Sequence, residues 1–163
     1  MKVKLSGIIN DSIVDGPGLR LSVFAQGCPH NCKGCHNPET HDPQGGSYMD
    51  VDEIIEKARK NPLLQGITLS GGEPFMQADA MVYLAKKARE IGLNVVIYTG
   101  YTWEELMERE EFMRLVREAD YIVDGRFELS LRTLDMPFVG SSNQRIIDVR
   151  KSIESGDIIL HEF

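Results

Sequence analysis

Three cysteines fall in one short segment, Gly27-Cys28-Pro29-His30-Asn31-Cys32-Lys33-Gly34-Cys35-His36-Asn37, and the rest of the 163-residue chain has none. Their spacing is C-x3-C-x2-C. An odd count packed so closely argues against a disulfide framework. Thiolates are the usual ligands of iron–sulfur clusters, and a four-iron cluster held wholly by protein takes four of them. Three leave one iron without a protein ligand, and an open coordination position marks a site for chemistry, as it does among zinc sites. Gly27 and Gly34 let the loop backbone approach a cuboidal cluster closely. The alternative is a Cys3His zinc site completed by His30, His36 or His41, although structural zinc sites usually draw their ligands from two separated knuckles. Buried structural thiols fit less well, because the loop is polar and rich in glycine.

A second candidate is Ser70-Gly71-Gly72-Glu73-Pro74. Two adjacent glycines allow the main chain to approach a ligand, and Glu73 offers an acceptor for an ammonium group. Alone, the segment also reads as a glycine turn with a solvated glutamate.

The elements that must position these segments alternate. Residues 19–26 alternate apolar and polar and read as a first strand, with the cysteine loop directly after it. The pattern predicts a helix over residues 51–60, opened by Asp50 with Glu53 at capping-box spacing, carrying Val51, Ile54, Ile55 and Ala58 on one stripe and ended by Asn61-Pro62. A short strand over 66–70 and a helix over 77–91, stopped by Gly92, follow. Residues 94–99 read as a strand covered on both faces, and Thr102 with Glu105 opens a helix running to about residue 119. Strands are predicted over 121–124 and 145–149, and a short one within 156–163.

This alternation implies a parallel sheet. A closed eight-fold barrel takes about 250 residues, so the expected fold is α/β, a partial, open TIM-like barrel with a mostly parallel sheet, forming a single domain over residues 1–163. Ligands of such folds sit at the carboxyl ends of the strands. Cys28, Gly71-Gly72-Glu73, Thr99-Gly100 and Asp124-Gly125 all fall at such ends.

The net charge of −7, with no block of Lys or Arg, argues against nucleic acid as the main partner. No apolar run approaches the roughly 20 residues of a membrane span. The stretch Met1-Lys2-Val3-Lys4-Leu5-Ser6-Gly7 is unlike a secretory signal, so a cytoplasmic location without membrane attachment is expected.

C-x3-C-x2-C after a first strand resembles the radical S-adenosylmethionine (SAM) superfamily. The resemblance implies a [4Fe-4S] cluster on Cys28, Cys32 and Cys35. It further implies that the amino and carboxylate groups of SAM chelate the fourth iron. The reduced cluster would then cleave SAM to methionine and a 5′-deoxyadenosyl radical that abstracts hydrogen from the substrate. Ser70 to Pro74 is similar to the superfamily's GGE motif, which binds the amino end of SAM. That match assigns Gly71, Gly72 and Glu73 to SAM, with Gly34, Cys35 and His36 beside the cluster. Thr99 and Asp124 are expected to line the SAM pocket from their strand ends.

Further segments resemble a narrower group. Val14-Asp15-Gly16-Pro17-Gly18-Leu19-Arg20 and Cys35-His36-Asn37-Pro38-Glu39-Thr40 resemble the glycyl radical enzyme activases. Val123-Asp124-Gly125-Arg126-Phe127 and Gly140-Ser141-Ser142-Asn143-Gln144-Arg145 resemble the activases of anaerobic (class III) ribonucleoside-triphosphate reductase. The resemblance spans residues from about 6 to 150, with His36 where the family also carries an aromatic residue. It implies hydrogen abstraction from a glycine in a loop of the partner reductase, with a small electron donor such as flavodoxin or ferredoxin. Two other readings compete. One is an activase of another glycyl radical enzyme, or a radical SAM enzyme acting on a small molecule. The other is a non-catalytic iron–sulfur or zinc protein, such as an electron carrier, which would have no use for Gly71-Gly72-Glu73.

Overall fold

The strand Arg20–Ala25 is buried at five of its six positions, as a strand covered on both faces must be. In the computed structural model, which describes residues 1–163, it is β2, inside a seven-stranded sheet of order β3-β1-β2-β4-β5-β6-β7. The strands are β1 (Lys2–Ser12), β2, β3 (Ser47–Asp50), β4 (Gly66–Gly71), β5 (Asn94–Tyr98), β6 (Tyr121–Asp124) and β7 (Arg145–Asp148). The helices are α1 (Val51–Arg59), α2 (Ala78–Glu90), α3 (Trp103–Met107), α4 (Glu110–Val116) and α5 (Val149–Ser155).

The centre of the sheet, β2-β4-β5-β6, is parallel, whereas β1 runs antiparallel to β2 and β3, and β7 antiparallel to β6. The sheet is therefore open and mixed, and the expectation of a mostly parallel one is corrected. The reason is in the connections. A parallel neighbour needs a crossover of a dozen or more residues, usually a helix, and an antiparallel one does not. Residues 13–19 and 125–144, which join β1 to β2 and β6 to β7, contain no α-helix.

Side chains alternate across the central strands with the period of two that a pleat imposes. Leu21, Val23, Ile67, Leu69, Val95, Ile97 and Ile122 belong to a core of 31 buried residues. They share it with Ile54, Met81, Leu84 and Leu115 from the helices. Helix α2 packs between α1 and α4, which makes the helices one layer over this face. The alternate positions Arg20, Ser22 and Thr68 are also buried but polar, and residues 13–19 are hydrogen-bonded across them. Arg20 donates to Thr68 Oγ1 (2.8 Å), Pro17 O (2.9 Å) and Ile67 O (2.8 Å). Ser12 and Ser22 both donate to Asp15 Oδ2, at 2.8 and 3.0 Å. Burial pushes the Arg20 guanidinium down to about 10. The Asp15-to-Arg20 segment is thereby pinned to the polar face.

Several elements depart from the sequence reading. The N-terminal strand β1 and the short β3 were not anticipated, although Val3 and Leu5 do alternate with polar residues and are buried. The helix expected from Thr102 to about residue 119 is two helices, broken where Arg109 adopts extended geometry (φ −127°, ψ 122°). Glu110 and Glu111 then restart it, at the end where acidic side chains favour the helix dipole. In residues 156–163 only Leu160 bridges to the sheet, opposite Ile147. The unanticipated α5 precedes it, capped by Asp148 and stopped by Gly156 in the left-handed region (φ 80°). No helix is long and apolar enough to cross a membrane.

Candidate active site

The parallel strands end around one cavity of about 360 Å³. Cys28, Cys32, Cys35 and His36 line it from the loop after β2, Ser70, Gly71 and Gly72 from the end of β4, and Thr99 and Gly100 from the end of β5. Val123 and Gly125 line it from the end of β6, and Phe127, Phe138, Val139, Gly140 and Gln144 from the connection that follows.

The cysteine loop is closed at its base by main-chain bonds from Gly27 N to Thr40 O (2.6 Å) and Cys28 N to His41 O (3.2 Å). The Gln26 amide reinforces them, donating to Glu39 O (3.0 Å) and Asp42 O (2.7 Å). Inside the loop the chain turns tightly through two positive-φ residues, Asn31 (φ 52°) and Gly34 (φ 75°). Gly34 does not itself border the cavity. It lies against Leu129, where an added Cβ would stand 3.0 Å from Cδ1. His36 stacks at a tilt on Phe127 with ring centroids 4.9 Å apart.

All three cysteines are free thiols of intermediate burial. Burial pushes the Cys28 thiol up, partly offset by the His30 main-chain N–H. Burial does the same to Cys32, partly offset by the Phe127 main chain. Such thiols are protonated at neutral pH until a metal displaces the proton. No three His, Cys, Asp or Glu side chains converge tightly enough to hold a single metal ion. Three thiols lining one cavity fit a multi-iron cluster, which is larger than an ion.

The glycine pair is required by backbone crowding. Gly71 has φ 91°, and a Cβ there would stand 2.6 Å from Ala25 N. A Cβ on Gly72 would overlap Gly27 O. The segment is drawn against the loop start, because Gly72 N donates to Ala25 O (2.8 Å) and Glu73 N to Gly27 O (2.8 Å). Glu73 behaves differently from its neighbours. Its carboxylate is fully buried and is not a wall of the cavity. Oε1 accepts from His30 Nε2 (2.6 Å), Thr99 Oγ1 (2.8 Å) and Gly100 N (2.8 Å). Oε2 accepts from Phe75 N (3.1 Å) and Thr99 Oγ1 (2.9 Å).

Thr99 borders the cavity, with its hydroxyl committed to Glu73. Asp124 does not border it. The Asp124 carboxylate is buried and accepts from Trp103 N (2.8 Å), Arg145 Nε (3.1 Å) and Arg145 Nη2 (2.5 Å). Arg145 also reaches Glu104 at 2.7 Å, and these partners hold the guanidinium above its ordinary range, Asp124 foremost. Asp124 thus ties β6, β7 and α3 together beneath the site.

Beyond Gly125, the connection 126–144 was not expected at the cavity. Its signal lay in the two segments singled out for their resemblance, which zip together here. Gln144 accepts from Gly140 N (2.8 Å) and donates to Gly125 O (3.0 Å), while Asn143 donates to Arg126 O (2.8 Å).

A family model described as a 4Fe-4S single cluster domain matches residues 14–147. Site and match together define a radical SAM enzyme whose cofactors are a [4Fe-4S] cluster and SAM. The chain is 32% identical over 139 residues to the anaerobic ribonucleoside-triphosphate reductase-activating protein of Enterobacteria phage T4, covering 82% of this chain and 86% of that one. It is 33% identical over 146 residues to the protein of the same name from Escherichia coli (strain K12), covering 85% and 94%. The pyruvate formate-lyase-activating enzyme of Clostridium pasteurianum is 34% identical over 121 residues, but this chain spans only 51% of its length. The chain belongs to the family of anaerobic ribonucleoside-triphosphate reductase-activating proteins. A likeness in fold alone extends to the crystal structure of QueE from Escherichia coli, with a TM-score of 0.50 at 16% identity, over 63% of this chain and 54% of that one.

Proposed function

We propose that the chain, acting as one unit over residues 1–163, activates an anaerobic ribonucleoside-triphosphate reductase by placing a radical on one of its glycines. The observation that carries this is the cavity itself, lined both by the three thiols and by Gly71 and Gly72. When bound, the cluster and SAM supply reductive cleavage of SAM and hydrogen abstraction from the partner's glycine.

The protein's own residues bind, orient and shield. Cys28, Cys32 and Cys35 hold the cluster and leave one iron open, with His36 and Gly34 shaping the loop beside it. Ser70, Gly71 and Gly72 present main-chain atoms to the amino end of SAM, the two glycines lying close against Ala25 and Gly27 because they carry no Cβ. Thr99 borders the same cavity, Asp124 steadies the strand ends below it, and Phe127 and Phe138 contribute apolar wall that excludes water. The open sheet, in the manner of a partial barrel, leaves a lateral opening through which a backbone glycine of a macromolecule can enter. Three thiol ligands need a reducing compartment, so the proposal includes a cytoplasmic location. It also includes a small electron donor of the flavodoxin or ferredoxin kind.

The test is anaerobic. Protein reconstituted with iron and sulfide, reduced and given SAM should release 5′-deoxyadenosine, and Cys32→Ala should not. Adding the reductase should yield a glycyl radical signal by electron paramagnetic resonance. Iron binding without SAM cleavage, even with the reductase present, would leave the electron-carrier reading in its place.

A further inference from the structure

The buried Glu73 carboxylate has no capacity left for a ligand. A carboxylate offers about four acceptor positions, and Glu73 already receives four donor groups: His30 Nε2, Thr99 Oγ1, Gly100 N and Phe75 N. It is fully buried, and displacing any one donor would leave a buried polar group unsatisfied. The donors come from three places: the cysteine loop (His30), the turn after β4 (Phe75) and the end of β5 (Thr99 and Gly100).

The contact with His30 is the informative one. His30 lies between Cys28 and Cys32, and its side chain is 4% exposed where it meets Glu73. The base of the loop is stitched by Gly27, Cys28 and Gln26 as described. Its first turn, between Cys28 and Cys32, is tied to the sheet by the 2.6 Å His30–Glu73 bond, with the imidazole also set edge-on against Tyr101 at 4.6 Å between centroids. The imidazole is fitted closely: a Cβ on Gly100 would overlap its ring.

We propose that Glu73 is a positioning residue, not a SAM ligand, and that through His30 it fixes the Cys28–Cys32 turn of the cysteine loop against the ends of β4 and β5. This bond sets where the thiols stand relative to the Ser70-to-Gly72 platform, and the amino end of SAM is left to that platform's main chain. The proposal rests on reading the cavity as a cluster-and-SAM site, but the staple itself exists in the polypeptide without either cofactor.

The experiment compares wild type with His30→Leu, Glu73→Gln, the double variant, and His30→Gln, whose amide can still donate. In the cofactor-free full chain, amide hydrogen exchange across residues 27–41 should rise about tenfold in His30→Leu and Glu73→Gln and return towards wild type in His30→Gln. Unchanged exchange in both single variants overturns the staple. In iron-reconstituted protein at matched iron content, SAM affinity and the SAM-induced change in the reduced cluster's paramagnetic spectrum are then measured. The expected result is the same loss in each single variant, about tenfold in affinity, with the double variant no worse than either. If Glu73→Gln weakens SAM while His30→Leu does not, or if the two losses add, Glu73 is a direct SAM ligand and the proposal is wrong. Wild type that holds neither iron nor SAM would sink the proposed function, while the exchange data would still decide the staple.

Discussion

Two neighbouring residues of one motif do different work. Gly72 is defined by what it lacks, since any side chain there meets Gly27 O. Gly72→Ala is expected to cost about 1–3 kcal/mol of stability through overpacking, read as a lower melting temperature together with weaker SAM binding. Glu73, one residue on, is defined by what it receives. At the other end of the site, Asp124 is buried against Arg145. Asp124→Asn weakens its bonds with both Arg145 and Trp103 N and leaves a partly buried guanidinium short of its counter-charge. The expected loss is about 3 kcal/mol, towards the lower end of the range for breaking a buried pair, measurable by denaturant titration. If Asp124 were a SAM contact instead, the variant would lose SAM affinity with its stability intact.

At the scale of elements, the break between α3 and α4 depends on local caps. Thr102 and Glu105 form a capping box in which Thr102 Oγ1 accepts from Glu105 N (3.2 Å) and Thr102 N donates to Glu105 Oε1 (3.0 Å). Thr102→Ala should cost about 1 kcal/mol, seen as a lowered unfolding midpoint. Glu105 also pairs with Arg126, and this holds its carboxyl below the ordinary value of 4.5, Arg126 being the first cause and the Thr102 N–H the next. Because the folded value is depressed, the stabilisation is present above the unfolded value and is lost as pH falls through the folded one. The pair is solvent-screened, so its contribution is at most about 1 kcal/mol. Arg126→Ala should move the Glu105 titration upward in NMR, and an unmoved midpoint would mean the pair does not persist in solution. The segment between β1 and β2 hangs on Arg20. Arg20→Leu removes the guanidinium donor from Thr68 Oγ1, Pro17 O and Ile67 O and should destabilise the fold by about 3 kcal/mol, read as a lowered melting temperature.

For the whole molecule, the open sheet matters because the substrate proposed for it is another protein. Exposed apolar side chains stand on the two connections that flank the cavity: Ile13 (70% exposed) beside Val14, and Leu134 (87%) in the 125–144 connection. A double substitution of Ile13 and Leu134 by Asp should reduce glycyl radical formation on the reductase about tenfold, while SAM cleavage without the reductase continues. Equal loss of both activities would place these residues in folding instead of docking.

The sequence by itself determined the parts of this protein that depend on near neighbours. The three cysteines, the stripe of α1, the Thr102 cap and the central strands β2, β4, β5 and β6 were legible, because spacing along the chain fixes which side chains share a loop, a helix face or a strand face. The tertiary structure decided what depends on partners distant in sequence. The directions of β1 and β7 follow from how their connections cross the sheet, which periodicity does not encode. The fates of Glu73 and Asp124 follow in the same way. One meets His30 across 43 positions and the other Arg145 across 21. A carboxylate at a strand end looks the same in sequence whether it faces a ligand or a buried donor, and only the packed chain supplies the donor.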